Sequence, residues 1–203
     1  MQSLSSSYVW RPTTGRYFNA SGTGDTGNSY LFYNKNRAFY MGFPDLGGLL
    51  GVDKKTLHIR SAILRVRILT AYSATLTMGY NYSTAWANRK SLLAQKTNIV
   101  MKTSAGDMDI DLTEVIQAYV ADGNSGTMYL WGYGTAGSTT DSYFRGINPS
   151  SNQNQRPYLA ITYDSSIARI YTGGAWKAAV PYIYANSQWK AAIGQLRDGG
   201  EWK

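Results

Sequence analysis

Strict period-two alternation inside short segments constrains the fold of this chain more than any other feature. In residues 61–69, Ala62, Leu64, Val66 and Ile68 fall on one side and Arg65 and Arg67 on the other. That is the pattern of a strand with one face in a core and the other in water. Residues 74–80 repeat it, with Ala74, Leu76, Met78 and Tyr80 inward and Thr75 and Thr77 outward; residues 127–133, 157–163 and 37–43 are further strand candidates. Polar, Gly-rich connections at 21–28, 134–140 and 148–152 separate them. Many short strands closed by turn residues predict an all-β chain folded as a β-sandwich.

One segment breaks the period of two. In residues 111–123 the apolar positions Leu112, Val115, Ile116, Tyr119 and Val120 follow helical spacing. Asp111 with Glu114 has the form of a capping box, and Gly123 supplies a C-terminal stop. The expectation is one short helix plugging an end of the sandwich. Just upstream, Asp107, Asp109 and Asp111 alternate with Met108 and Ile110, so three carboxylates share the outer face of a strand. Oxygen clusters of this kind hold hard cations, which makes Asp107 and Asp109 calcium candidates. An acidic edge that is solvated or paired with Arg is the competing reading, and Asp111 is already used as a cap.

The chain of 203 residues is 43% apolar and has no Cys, so thiolate metal sites, iron–sulfur clusters, disulfides and thiol nucleophiles are excluded. His58 is the only His and follows Lys54-Lys55-Thr56-Leu57; no nucleophile-elbow motif accompanies it. No catalytic residue and no cofactor are expected. No run approaches the roughly 18–20 apolar residues of a membrane span, and the N-terminal residues lack the basic-then-apolar pattern of a signal peptide. The expectation is a protein made in a bacterial cytoplasm without a signal peptide and without a membrane partner.

Four pieces in order give a family resemblance: residues 37–43 as a strand ending at Phe43-Pro44; residues 59–66, reading "I-x-S-A-x-L-R" from Ile59 to Arg65; Asp109-Ile110-Asp111-Leu112-Thr113 before the helix; and residues 156–163, reading "R-P-x-L-x-x-x-Y". Together they resemble the DNRLRE-type, carbohydrate-binding-like jelly-roll modules of secreted and phage proteins, over most of residues 8–164. The resemblance implies a jelly-roll-like sandwich with an adhesive or structural role. It carries over no catalytic residue and fixes no sugar site.

The C-terminal residues, 165–203, form a separate region. Ile170-Tyr171-Thr172-Gly173-Gly174-Ala175-Trp176-Lys177 recurs as Ile183-Tyr184-Ala185-Asn186-Ser187-Gln188-Trp189-Lys190 and, in part, as Leu196-Arg197-Asp198-Gly199-Gly200-Glu201-Trp202-Lys203. Each unit reads as a small β-hairpin: an apolar-aromatic strand, a turn, then a strand carrying Trp-Lys. A hairpin of this size cannot bury its own Trp, so the units must stack on one another or pair between chains. Trp176, Lys177, Trp189, Lys190, Trp202 and Lys203 are therefore the candidate partner-binding residues. These repeats are similar to those ending structural proteins of bacteriophages and prophages, in tails, baseplates or fibres.

The net charge of +8, from 20 basic and 12 acidic residues, is spread along the chain, and no nucleic-acid motif accompanies it. Anionic cell surfaces or acidic neighbouring subunits are the expected partners, with no specific nucleic acid. The sequence thus predicts residues 1–164 as a sandwich and 165–203 as Trp hairpins. The function expected is that of a non-enzymatic structural or adhesion protein of a phage virion: a tail, baseplate, fibre or decoration component. It would bind other virion proteins and its own copies, as a trimer by analogy with phage fibres. The alternative is a lectin-like receptor-binding module that recognises cell-surface glycans.

Overall fold

The longest strand keeps the alternation of residues 61–69 and reverses its parity nearer its start. Leu57–Thr70 buries Ala62, Leu64, Val66 and Ile68, as expected, and also Leu57 and Ile59, which have the opposite parity. The pairing explains the switch. Thr162 lies opposite Ser61 and Tyr163 opposite Ile59, so Arg60 is an extra residue that turns the strand over at a bulge.

The computed structural model describes residues 6–148 and 152–165 and, beyond them, the backbone of six short strands. In chain order the strands of the main body are β1 (Ser6–Trp10), β2 (Thr14–Phe18), β3 (Gly24–Thr26), β4 (Tyr30–Tyr33), β5 (Ala38–Phe43), β6 (Leu57–Thr70), β7 (Ala74–Asn81), β8 (Ala94–Val100), β9 (Gly106–Asp111), β10 (Met128–Gly137), β11 (Ser142–Arg145) and β12 (Tyr158–Ser165). They form two antiparallel sheets of six strands. The first runs β1-β12-β6-β11-β4, with β9 on the other edge of β6; the second runs β3-β2-β5-β10-β7-β8. The fold is an all-β sandwich. Leu31, Met41, Leu64, Leu76, Leu130 and Leu159 are among the fully buried side chains of the core between the sheets. Each such side chain contributes about 1.5–3 kcal/mol.

Helix α2 (Thr113–Asp122) sits where the 3.6-residue spacing places it, with Leu112, Val115, Ile116, Tyr119 and Val120 all buried. The capping box does not form: the N-cap is Leu112, with no side-chain capping bond, and Asp111, one residue further out, accepts from the amide and hydroxyl of Thr113, at 2.9 and 2.6 Å. Those bonds hold the Asp111 carboxyl below the usual carboxylate range. Gly123 ends the helix at φ +74, and a Cβ there would collide with the Lys55 side chain. A second, five-residue helix, α1 (Leu46–Leu50), was not foreseen. Asp45 caps it by accepting from the Gly48 amide at 2.6 Å, and the Tyr119 hydroxyl donates to the same carboxylate at 3.0 Å. Among the described residues no helix is long and apolar enough to cross a membrane.

Three separate antiparallel hairpins follow: β13 (Ala168–Thr172) with β14 (Ala175–Ala179), β15 (Tyr182–Ala185) with β16 (Gln188–Ala191), and β17 (Arg197–Asp198) with β18 (Glu201–Trp202). Their registers match. Trp176 pairs with Tyr171, Trp189 with Tyr184 and Trp202 with Arg197, so the repeat of 13 residues in sequence is also a repeat of pairing.

Candidate functional site

Strand parity gives the second sheet an apolar outer face as well as an inner one. Phe18 on β2, Ala38 and Tyr40 on β5, and Trp131 on β10 point away from the main core, yet all four are buried in a second cluster. What covers them is the connection between β7 and β8, which folds back over the sheet. Asn81, the last residue of β7, donates to the Asn88 carbonyl at 2.9 Å and accepts from Trp131 Nε1 at 3.1 Å; the same indole N–H reaches the Ser83 carbonyl at 2.9 Å. This fastening sets Trp86 against Phe18, ring centroids 5.3 Å apart. Gly22, at φ +83, passes so close to the indole that a Cβ would lie 2.6 Å from it. Only Gly permits both the backbone conformation and the approach.

Beside Trp86 the surface opens into a cleft of about 200 Å³, lined by Lys35, Arg37, Trp86, Arg89, Lys90 and Tyr133 among others. The Arg89 guanidinium lies 3.8 Å over the Trp86 ring and donates to the Trp86 carbonyl at 3.0 Å. The Lys90 ammonium stands 5.4 Å from the Tyr133 ring. Arg37 is clamped from behind by both oxygens of Asp141, at 2.5 and 2.6 Å. The result is a cleft with two half-buried aromatic walls and four cations. Its residues come from the β4–β5 loop, the β7–β8 connection and β10, so no single stretch of sequence advertises it. The run Trp86-Ala87-Asn88-Arg89-Lys90, an aromatic and two cations inside a connection rather than a strand, was its one local signal.

The carboxylates of β9 are arranged differently. Asp109 accepts two bonds of 2.6 Å from Arg65, and Asp107 accepts one of 3.2 Å from Arg67, across the β6–β9 register. The bonds from Arg65 hold the Asp109 carboxyl below its ordinary range. A guanidinium therefore occupies the position a calcium ion would need beside each candidate. No group of three or more His, Asp or Glu side chains suited to a metal is found among the described residues. Calcium in millimolar excess should leave the melting temperature unchanged; a rise would mean that the ion displaces Arg65 and Arg67. A cleft of about 350 Å³ beside these pairs is lined by Arg65, Arg67, Asp107, Arg156 and Tyr158, among others.

His58 stands exposed on β6, opposite Asp164 in register. Of the residues proposed to bind a partner, Trp176 and Lys177 lie on β14, Trp189 and Lys190 on β16, and Trp202 on β18; Lys203 falls outside the described residues. No protein-family model matches the chain, and no curated protein matches its sequence.

Proposed function

We propose that the protein is a non-enzymatic structural and adhesion component of a phage-like virion, in which the sandwich presents a binding face and the Trp hairpins dock the chain to its own copies or to neighbouring virion proteins. The observation that supports this most is the repeated register of the hairpins. Equal spacing combined with equal pairing gives each unit the same contact geometry, which is how stacked units build a shared core. A two-stranded hairpin standing alone is marginal in water, so three in succession favour a partner surface. The DNRLRE-like motifs and the Trp-Lys repeats support the virion setting, with a trimer as the preferred assembly.

Light scattering on the full chain and on a chain ending at Ser165 tests the docking role. The shorter chain should remain folded and lose self-association, because it keeps the whole of the described buried core, from Trp10 to Ile161. Trp189→Ala should weaken assembly more than Trp202→Ala, since the middle unit has neighbours on both sides. Unchanged mass and assembly in all three would remove the docking role.

A second reading, a glycan-binding receptor module, is favoured by the aromatic and basic cleft on the outer face of the second sheet. The two readings can hold together, with recognition on the sandwich and docking on the hairpins.

A further inference from the structure

The cations around the Trp86 cleft differ from those on the opposite sheet. On the first sheet Arg60, Arg65 and Arg67 each face an Asp, namely Asp164, Asp109 and Asp107. At the cleft, of Lys35, Arg37, Arg89 and Lys90 it is Arg37 that meets a carboxylate, Asp141, which its Nε and Nη2 engage together. Among the described residues Lys35, Arg89 and Lys90 have no ion-pair partner. Three like charges converging on one concave surface repel each other in the free protein, and an anion bound among them relieves that repulsion.

The anion's carrier is indicated by the walls. Tyr133 is half-buried and offers flat apolar surface beside the charges, while the Trp86 ring, packed on Phe18, is the platform that holds the Arg89 guanidinium in place. The Trp86 indole N–H is bonded to no acceptor among the described residues. A sugar ring has one face of C–H groups, which suits such a surface, and a rim of hydroxyls, which suits an indole N–H and the exposed Asn36 amide. Arg89 is already held in place by the Trp86 ring and carbonyl, so its outward N–H groups are positioned for two-pronged bonding to a carboxylate or phosphate with little further loss of freedom. The cleft is smaller than the roughly 300–1,000 Å³ that drug-sized ligands occupy, which suits one sugar residue of a polymer. A single-stranded nucleic acid needs a groove that follows its backbone and a series of stacking platforms. Here the other rings of the cluster, Phe18, Tyr40 and Trp131, are buried and out of reach.

We infer that the cleft formed by Lys35, Trp86, Arg89, Lys90 and Tyr133 binds an acidic sugar residue, a saccharide bearing a carboxylate or a phosphate. This deepens the adhesive half of the function proposed above and rests on it, while the docking half is independent.

Calorimetric titration of the full chain tests it, with tri-galacturonic acid as the carboxylate probe and a glycerol-phosphate teichoic acid as the phosphate probe. Maltotriose serves as the neutral sugar and a twelve-nucleotide single-stranded DNA as the competing polyanion. Saturable binding of at least one acidic probe is expected, and the probe that binds identifies the anion. Binding should weaken at least tenfold in Trp86→Ala and in the double variant Arg89→Gln/Lys90→Gln, and stay unchanged in Lys55→Gln, an exposed cation outside the cleft. The double variant alters only surface groups, so it decides the matter even if Trp86→Ala unfolds. Equal binding of maltotriose, tighter binding of the DNA, no saturable binding of either acidic probe, or full binding by the double variant would each overturn the assignment. Light scattering on the same samples separates the two halves: self-association without sugar binding sinks the cleft alone, and sugar binding without self-association sinks the docking role alone.

Discussion

Trp131→Ala should lower the unfolding free energy by about 3–5 kcal/mol, the range for deleting a large buried aromatic. The side chain is fully buried although it lies on the outer face of its sheet. It stacks on Phe18 with centroids 5.5 Å apart and meets Tyr40 at 5.0 Å, and its indole N–H ties down the β7–β8 connection through Asn81 and Ser83. Trp131→Phe separates these contributions. The ring surface is mostly kept, while the buried Asn81 and Ser83 acceptors lose their donor, at a cost of about 1–3 kcal/mol. Urea unfolding followed by far-ultraviolet circular dichroism reads both. A loss below about 1 kcal/mol in Trp131→Ala would mean that the outer cluster is not packed, because truncating a buried Trp leaves a cavity the surroundings only partly fill. Because Phe18 carries Trp86, the Ala variant should also weaken acidic-sugar binding, which links the second layer to the cleft above it.

That second layer is also where sequence patterning loses its power. Period-two alternation names a buried face only when the other face meets water, as on β6, where Leu64 and Val66 are buried and Arg65 is exposed. On β5 every residue from Ala38 to Phe43 is buried, so the pattern there cannot tell inside from outside. Asn81 is polar and outward by parity, yet it is buried beneath a connection whose path no local rule predicts. Helix α2 was legible because 3.6-residue spacing depends on the segment alone. The partner of Asp111 was not, since from spacing alone the backbone amides of Thr113 and Glu114 are both plausible donors to its carboxylate. Asp107 and Asp109 were correctly placed on an outer face, but the identity of their neighbours depends on which strand pairs with β9. The cleft needed still more: it exists only because β5, β10 and β7 are adjacent in one sheet, which brings Arg37, Tyr133 and Trp86 together.

The largest electrostatic effect belongs to Lys54, a charged side chain only 3% exposed at the end of the sandwich closed by α2. Its ammonium lies 3.6 Å over the Tyr119 ring, bonds the Asn124 carbonyl and reaches Asp122 at 3.2 Å. Asp122 in turn accepts from the hydroxyls of Tyr80 at 2.8 Å and Tyr82 at 2.7 Å. Burial alone would push the Asp122 carboxyl up, but the bonds from Tyr82, the Asn124 amide, Tyr80 and Lys54 outweigh it and hold the group below its usual value. Burial, reinforced by the neighbouring carboxylate, raises the hydroxyls of Tyr80 and Tyr82. Asp122→Asn should therefore cost about 3–5 kcal/mol, because it strands a buried ammonium without a counter-charge. Lys54→Met should cost less: Asp122 keeps its two Tyr donors and the Asn124 amide, and the Met stem can still cover Tyr119. In the double variant the ammonium is gone as well, so part of the Asp122→Asn loss should be recovered. The pH dependence has a fixed sign. A carboxylate whose pKa is depressed by folding stabilises the native state above its unfolded pKa, and that contribution disappears as pH falls through the folded value. Wild type should thus lose stability through the acid range below about pH 4 more steeply than Asp122→Asn. Equal costs for the two single variants, or parallel acid profiles for wild type and Asp122→Asn, would show that the Lys54 charge is compensated by something other than Asp122.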